Sequence, residues 1–152
     1  MNLRLQIEEK YKDSLKNKKN DVTNVLRLVI SAIKDKDIES RTADNKDGIN
    51  DEKIMILLQT LIKQRKDSID SFQKAERQDL VENEKNEIEI INQFLPKQLD
   101  EKEVSEIISK YIKENNLSSI KEMGKIMGYL KSNHSGSIDM ALGGKIAKEL
   151  LG

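Results

Sequence analysis

The sequence predicts an all-α protein, with an N-terminal four-helix domain over residues 1–96 followed by a small three-helix C-terminal bundle over 97–152. Three observations predict it. Apolar residues recur at three- and four-residue spacing almost from end to end. No stretch alternates apolar and polar residues as a strand would, and no hairpin signal occurs. The one proline, Pro96, stands where long amphipathic segments give way to short ones, and its ring disfavours helical geometry at the residue before it.

Leu3, Ile7, Tyr11 and Leu15 define a first helix ending near Asn17. Val22, Val25, Leu26, Val29 and Ile33 form the stripe of a second, with Asp21 its expected N-cap. From Ser40 to Asn50 there is no apolar period and a wealth of turn formers, which predicts a loop. Ile54, Leu58, Leu61, Ile62, Ile69 and Phe72 mark a long third helix that breaks near Ala75. Asp79 and Glu82 have capping-box spacing and open a fourth helix, running from Leu80 through Ile88 and Ile91 to Leu95. Asp100 and Glu103 repeat that spacing before Val104, Ile107, Ile108 and Tyr111. Ser119 and Glu122 repeat it before Ile126, Met127 and Leu130. The turn His134–Ser137 leads to a last helix bearing Ile138, Leu142, Ile146 and Leu150, with Ser137 its expected cap.

Composition bounds the function. Charged residues make up 36% and aromatics 3%, a polar shell over a thin aliphatic core. The absence of cysteine excludes disulfides and thiolate metal sites and suits a reducing compartment. The opening residues MNLRLQIEEKYK have no apolar signal region, and no apolar run approaches a membrane span, so the expected location is the cytoplasm. Basic and acidic residues balance at 27 each, so any electrostatic footprint for a polyanion must be local.

The residues give little support for chemistry. The one histidine, His134, lies in a polar turn outside any G-x-S-x-G context and reads as solvated, whereas a triad needs a base held by a third group. Oxygen ligands alone remain for a metal, and no EF-hand pattern, P-loop or dinucleotide fingerprint is present. The expectation is a binding protein with no catalytic residues, cofactor or metal of its own. From Glu76 to Leu95, six acids face two bases, a net of −4. That stretch reads as a solvated helix face or as a docking surface for a basic partner.

From Ile120 to Lys148 the balance reverses. Lys121, Lys125, Lys131, Lys145 and Lys148 outnumber Glu122 and Asp139, a local excess of +3. Lys121 and Lys125 lie one helical turn apart, and Lys145 and Lys148 nearly so, away from the apolar stripes. Gly124 and Gly128, Gly136 in the turn, and the pair Gly143–Gly144 accompany them. A glycine inside a helix costs up to about 1 kcal/mol relative to alanine. Two reasons compete for that cost: close packing of helices, or close approach of a phosphate backbone with lysines as counter-charge. With only Tyr129 nearby as an aromatic, RNA contact would read shape and phosphates, not base sequence. Two functions follow: a binding module for RNA, or a protein–protein adaptor with no RNA role.

The run KQRKDSIDSFQKAERQDLVENEKNEIEIINQFLPKQL (Lys63 to Leu99) closely resembles the signature of the GatB/YqeY family. MGKIMGYLK (Met123 to Lys131), the G-x-x-D turn at Gly136 and Asp139, and Leu142 to Ile146 resemble its C-terminal motif, and Leu26 to Lys34 fits its second helix. The likeness is to the stand-alone YqeY-like proteins. It implies an all-α fold with a larger N-terminal and a smaller C-terminal helical domain. It also implies kinship with the tail of the B subunit of tRNA-dependent amidotransferases, which are carbon–nitrogen ligases using glutamine as amido-N-donor. In those enzymes the tail grips tRNA while the chemistry resides elsewhere. The implied partner is therefore tRNA or a tRNA-charging, transamidating complex. The positions carried over are Gly124, Lys125, Met127, Gly128, Lys131, Gly136 and Lys145. Two positions depart from the family pattern: Ser135 and Ser137 stand where lysines are common, and Glu76 stands where a glycine usually follows the long helix.

Overall fold

A computed structural model describes residues 2–42 and 47–152. Among these residues the regular structure is helical throughout: α1 (Leu3–Lys16), α2 (Asn20–Ser40), α3 (Asp51–Lys74), α4 (Gln78–Asn92), α5 (Glu101–Glu114), a 3₁₀ turn (Ile120–Glu122), α6 (Met123–Asn133) and α7 (Met140–Leu151). The chain divides into two compact units, one up to Leu95 and the other from Pro96 onward. Of the loop expected from Ser40 to Asn50, residues 43–46 lie outside the described residues, and Ser40 itself closes α2.

In the first unit, α1 and α2 form an antiparallel hairpin. Its turn holds a buried polar pair, Ser14 and Thr23, whose hydroxyl oxygens are 2.8 Å apart. The Tyr11 carbonyl lies within reach of Ser14 and that of Lys19 within reach of Thr23, so one hydroxyl donates to its carbonyl while the other donates across the pair. Near the open end Arg4 grips Asp37 with two bonds of 2.8 Å. Helices α3 and α4 form a second hairpin, joined at mid-length by Arg65 Nε donating to Glu87 Oε2 at 2.9 Å. The core between the hairpins is aliphatic, with Ile7, Leu26, Val29, Ile54, Leu58 and Ile91 wholly buried.

Three helices end in the same way. After α1, α3 and α5 the chain enters left-handed geometry at Lys18 (φ 55°), Glu76 (φ 57°) and Asn116 (φ 52°). At each, a six-residue and a four-residue backbone bond close together, as when Arg77 N donates to Phe72 O and Glu76 N to Gln73 O. This is the Schellman motif, whose left-handed position favours glycine. The break after the long helix therefore forms with Glu76 in the strained conformation.

Three expected caps are corrected. Helix α4 starts at Gln78, directly after that turn, with Asp79 inside its first turn and no side-chain cap from Arg77. Asp79 instead accepts from the Arg77 guanidinium, and Glu82 accepts from Gln78 Nε2. Asp21 likewise lies inside the first turn of α2, where it accepts from Asn86 on α4 at 3.1 Å. Ser137 yields the capping of α7 to Asp139, because Ile138 first turns inward and is buried. Helix α4 also stops at Asn92, so Phe94 and Leu95 pack on the core from a turn.

In the second unit Asp100 caps α5 as expected, accepting from Glu103 N at 2.8 Å. Ser119 accepts from Lys121 N and opens the 3₁₀ turn that runs into α6. Val104, Ile108, Ile126, Leu130, Ile138 and Ala147 form this unit's own buried cluster.

Candidate nucleic-acid interface

Helices α6 and α7 are joined by the short stretch around Gly136, whose φ of +79° and burial fix it as a turn glycine. Its carbonyl accepts from Gln98 Nε2, and Leu99 N donates to Ser137 O at 2.8 Å, so the turn is tied to the residues before α5. The two helices pack antiparallel along a seam that the glycines locate. A Cβ on Gly143 would stand 3.0 Å from Leu130 Cδ1, and one on Gly144 would meet Met123 and Met127 at 3.7 and 3.8 Å. Gly143 is buried and Gly144 half-buried. These two let the helices come close, and that accounts for their presence.

Gly124 and Gly128 are different. Both are exposed, and a Cβ on either would meet nothing within 4 Å. No neighbouring helix needs them.

Helix geometry places the lysines relative to these glycines. At about 100° per residue, positions 124, 128 and 131 follow Met127 around α6 toward solvent. In the same way 141, 145 and 148 follow Gly144 around α7. Helix α5 covers the opposite side of the pair: Tyr111 stacks on Tyr129 of α6, with ring centroids 4.4 Å apart, and Glu101 and Ser105 line a groove with Ile146 of α7. Because α6 and α7 are antiparallel, the two solvent arcs open to the same side. Gly124, Gly128 and Lys131 thus form one bank of the seam, and Lys145 and Lys148 the other. Lys125 lies roughly 60° farther round α6, and Lys121 sits in the 3₁₀ turn. All five lysines are exposed. Among the described residues, Lys121, Lys125, Lys145 and Lys148 enter no ion pair.

The acidic helix reads differently in three dimensions. Glu87 is committed to Arg65, Asp79 to Arg77, and Glu82 to Gln78. Glu84 is half-buried, and burial pushes its carboxyl above the ordinary range, with Glu87 adding to the shift. Of these partners only Arg65 is a cation from outside the stretch, so most of its net charge remains.

The sequence did not reveal the ring cluster. His134, which reads as solvated, is half-buried in an edge-to-face arrangement with Tyr129, ring centroids 5.8 Å apart, and Tyr129 is itself covered by Tyr111. The spacing of 111, 129 and 134 gives no signal of this contact, which depends on how α5 crosses α6.

Comparison with known proteins places this architecture. The YqeY-like protein model matches residues 4–151. The chain belongs to the YqeY-like protein family. Among similar proteins of this kind, an uncharacterized protein of Schizosaccharomyces pombe is 37% identical over 95 residues, 62% of this chain and 73% of that protein. Altered inheritance of mitochondria protein 41, mitochondrial, of Lachancea thermotolerans is 36% identical over 106 residues, 62% of this chain and 54% of its own length. The protein of that name in Kluyveromyces lactis is 36% identical over 88 residues, 58% of this chain and 45% of its own length. The chain thus spans about half of the two relatives named mitochondrial. Among the described residues, no helix is long and apolar enough to cross a membrane.

Proposed function

We propose that this YqeY-like chain is a non-catalytic RNA-binding protein whose α6–α7 seam grips phosphates, with tRNA the RNA class in view. The observation that carries the proposal is the pairing of Gly124 and Gly128, open to solvent, with Lys131, Lys145 and Lys148 along one seam. Bare backbone lets a phosphate approach the main chain, and flanking ammonium groups replace its released counterions. The four-plus-three division into domains near Pro96 belongs to the same proposal, with the second domain as the gripping part. So does association with a tRNA-dependent amidotransferase, which rests on the family likeness alone. The proposal needs a compartment that holds tRNA. The sequence suggests the cytoplasm, and two relatives carry a mitochondrial name.

The test is a gel shift of the purified chain with total tRNA at two salt concentrations. With three to five lysines engaged, log affinity should fall against log salt with a slope of about −2 to −4. Lys145→Glu combined with Lys148→Glu should abolish the shift, and Lys125→Glu, farther round α6, should weaken it less. Absence of any shift at low salt sinks the proposal. Pull-down with and without nuclease separates an RNA-bridged partner from a direct one, and no glutamine- or ATP-dependent turnover is expected from the chain alone.

A further inference from the structure

The opposite flank of α7 carries a second surface of contrary character. Between α5 and α7 lies an open groove of about 480 Å³. Ile146 and Leu150 form its apolar part, and Glu101, Glu106 and Glu149 supply three carboxylates against the single cation of Lys102. Ser105, half-buried on the α5 wall, is too short to fill the gap. Ile146 is 4% exposed, yet Leu150, one turn along, is 44% exposed. Among the described residues, Glu101, Glu106 and Glu149 enter no ion pair. An apolar strip with a charged rim is what an amphipathic helix recognises, by laying its own apolar face into the groove. The sign of the rim selects the charge of that helix.

We infer that the α5–α7 groove docks a lysine- or arginine-bearing amphipathic helix of a partner protein, its apolar face on Ile146 and Leu150 and its cations on Glu101, Glu106 and Glu149. This surface is distinct from the basic seam of α6 and α7, and its partner is of opposite charge to RNA.

The experiment uses the full chain and a fluorescent synthetic helix with leucines on one face and lysines on the other. Saturable binding in anisotropy is expected. Leu150→Asp should weaken it at least tenfold, and Glu106→Lys several-fold, both positions being exposed enough to spare the fold. Circular dichroism confirms folding, and the tRNA gel shift should be unchanged in both variants. A shift lost in the wild type with peptide binding intact would sink the RNA proposal alone. Equal affinity for wild type and both variants overturns the groove, and so does equal affinity for a scrambled peptide. Self-association of the wild type that Leu150→Asp abolishes also overturns it, in favour of a second copy of this chain.

Discussion

The Arg4 guanidinium and the Asp37 carboxylate form a two-pronged pair, both bonds 2.8 Å, that fastens the start of α1 to the end of α2. The pair also organises the chain leading into α3. Asp37 accepts from Ile49 N at 2.8 Å, and Arg4 donates to Ile49 O at 3.1 Å. Gly48, at φ +88°, lies so close that an added Cβ would overlap the carboxylate.

Asp37→Ala should lower stability by about 2 kcal/mol at neutral pH, because it leaves a half-buried guanidinium and a backbone N–H without their acceptor. Hydrogen bonding to Arg4 holds the Asp37 carboxyl below its ordinary range. A carboxylate depressed in this way contributes stability above its unfolded pKa and loses it as pH falls through the folded one. The difference between wild type and variant in urea melts should thus be full at neutral pH and shrink below the ordinary aspartate range.

Gly48→Ala should cost about 2–3 kcal/mol, from backbone strain and the clash with Asp37 together. Combined with Asp37→Ala the overlap with the carboxylate is gone and only the flexible end of Arg4, 2.9 Å from the added Cβ, must shift, so the double variant should lose about 1 kcal/mol less than the sum of the singles. Additive losses would show that strain at Gly48 acts without the carboxylate.

Glu76→Gly should stabilise the chain by about 0.5–1 kcal/mol. It releases left-handed strain at φ 57°, which outweighs the greater chain entropy that glycine adds to the unfolded state. Lys18→Gly should act in the same direction, and a lower urea midpoint for either contradicts the account.

Gly124→Ala and Gly128→Ala should each raise stability by up to about 1 kcal/mol, since the added methyl meets open space and alanine favours the helix. If the seam grips phosphates, both should weaken the tRNA shift while stabilising the fold. Gly143→Val should instead cost about 1–3 kcal/mol, because Leu130 is already at the limit of contact there.

How far the sequence foretold all this can be argued from particular residues. The helices were legible because Val25, Leu26, Val29 and Ile33, or Ile54, Leu58, Leu61 and Ile62, recur at the period of the buried face and are buried. Asp100 was legible as a cap because, among the described residues, its carboxylate accepts from Glu103 N and enters no ion pair. Asp21 and Asp79 were misread because a carboxylate near a helix start can take a distant amide or a neighbouring guanidinium instead, and spacing does not record which. The left-handed stop at Lys18 was invisible, since lysine does not advertise that conformation, and the one at Glu76 was marked only by the family pattern, which has a glycine there. In the candidate interface, the lysines and the glycine spacing were readable. The sorting of the glycines, with Gly143 facing inward and Gly124 and Gly128 outward, depends on which arc of each helix meets its neighbour.

The stacked tyrosines give the molecule a built-in optical label. There is no tryptophan, and of three tyrosines Tyr111 and Tyr129 lie face to face in the second unit while Tyr11 stands alone in the first. Near-ultraviolet dichroism from coupled rings therefore reports on the C-terminal helices, and far-ultraviolet signal on all helices alike. Heating one unmodified sample and following both bands reveals whether the two units melt together.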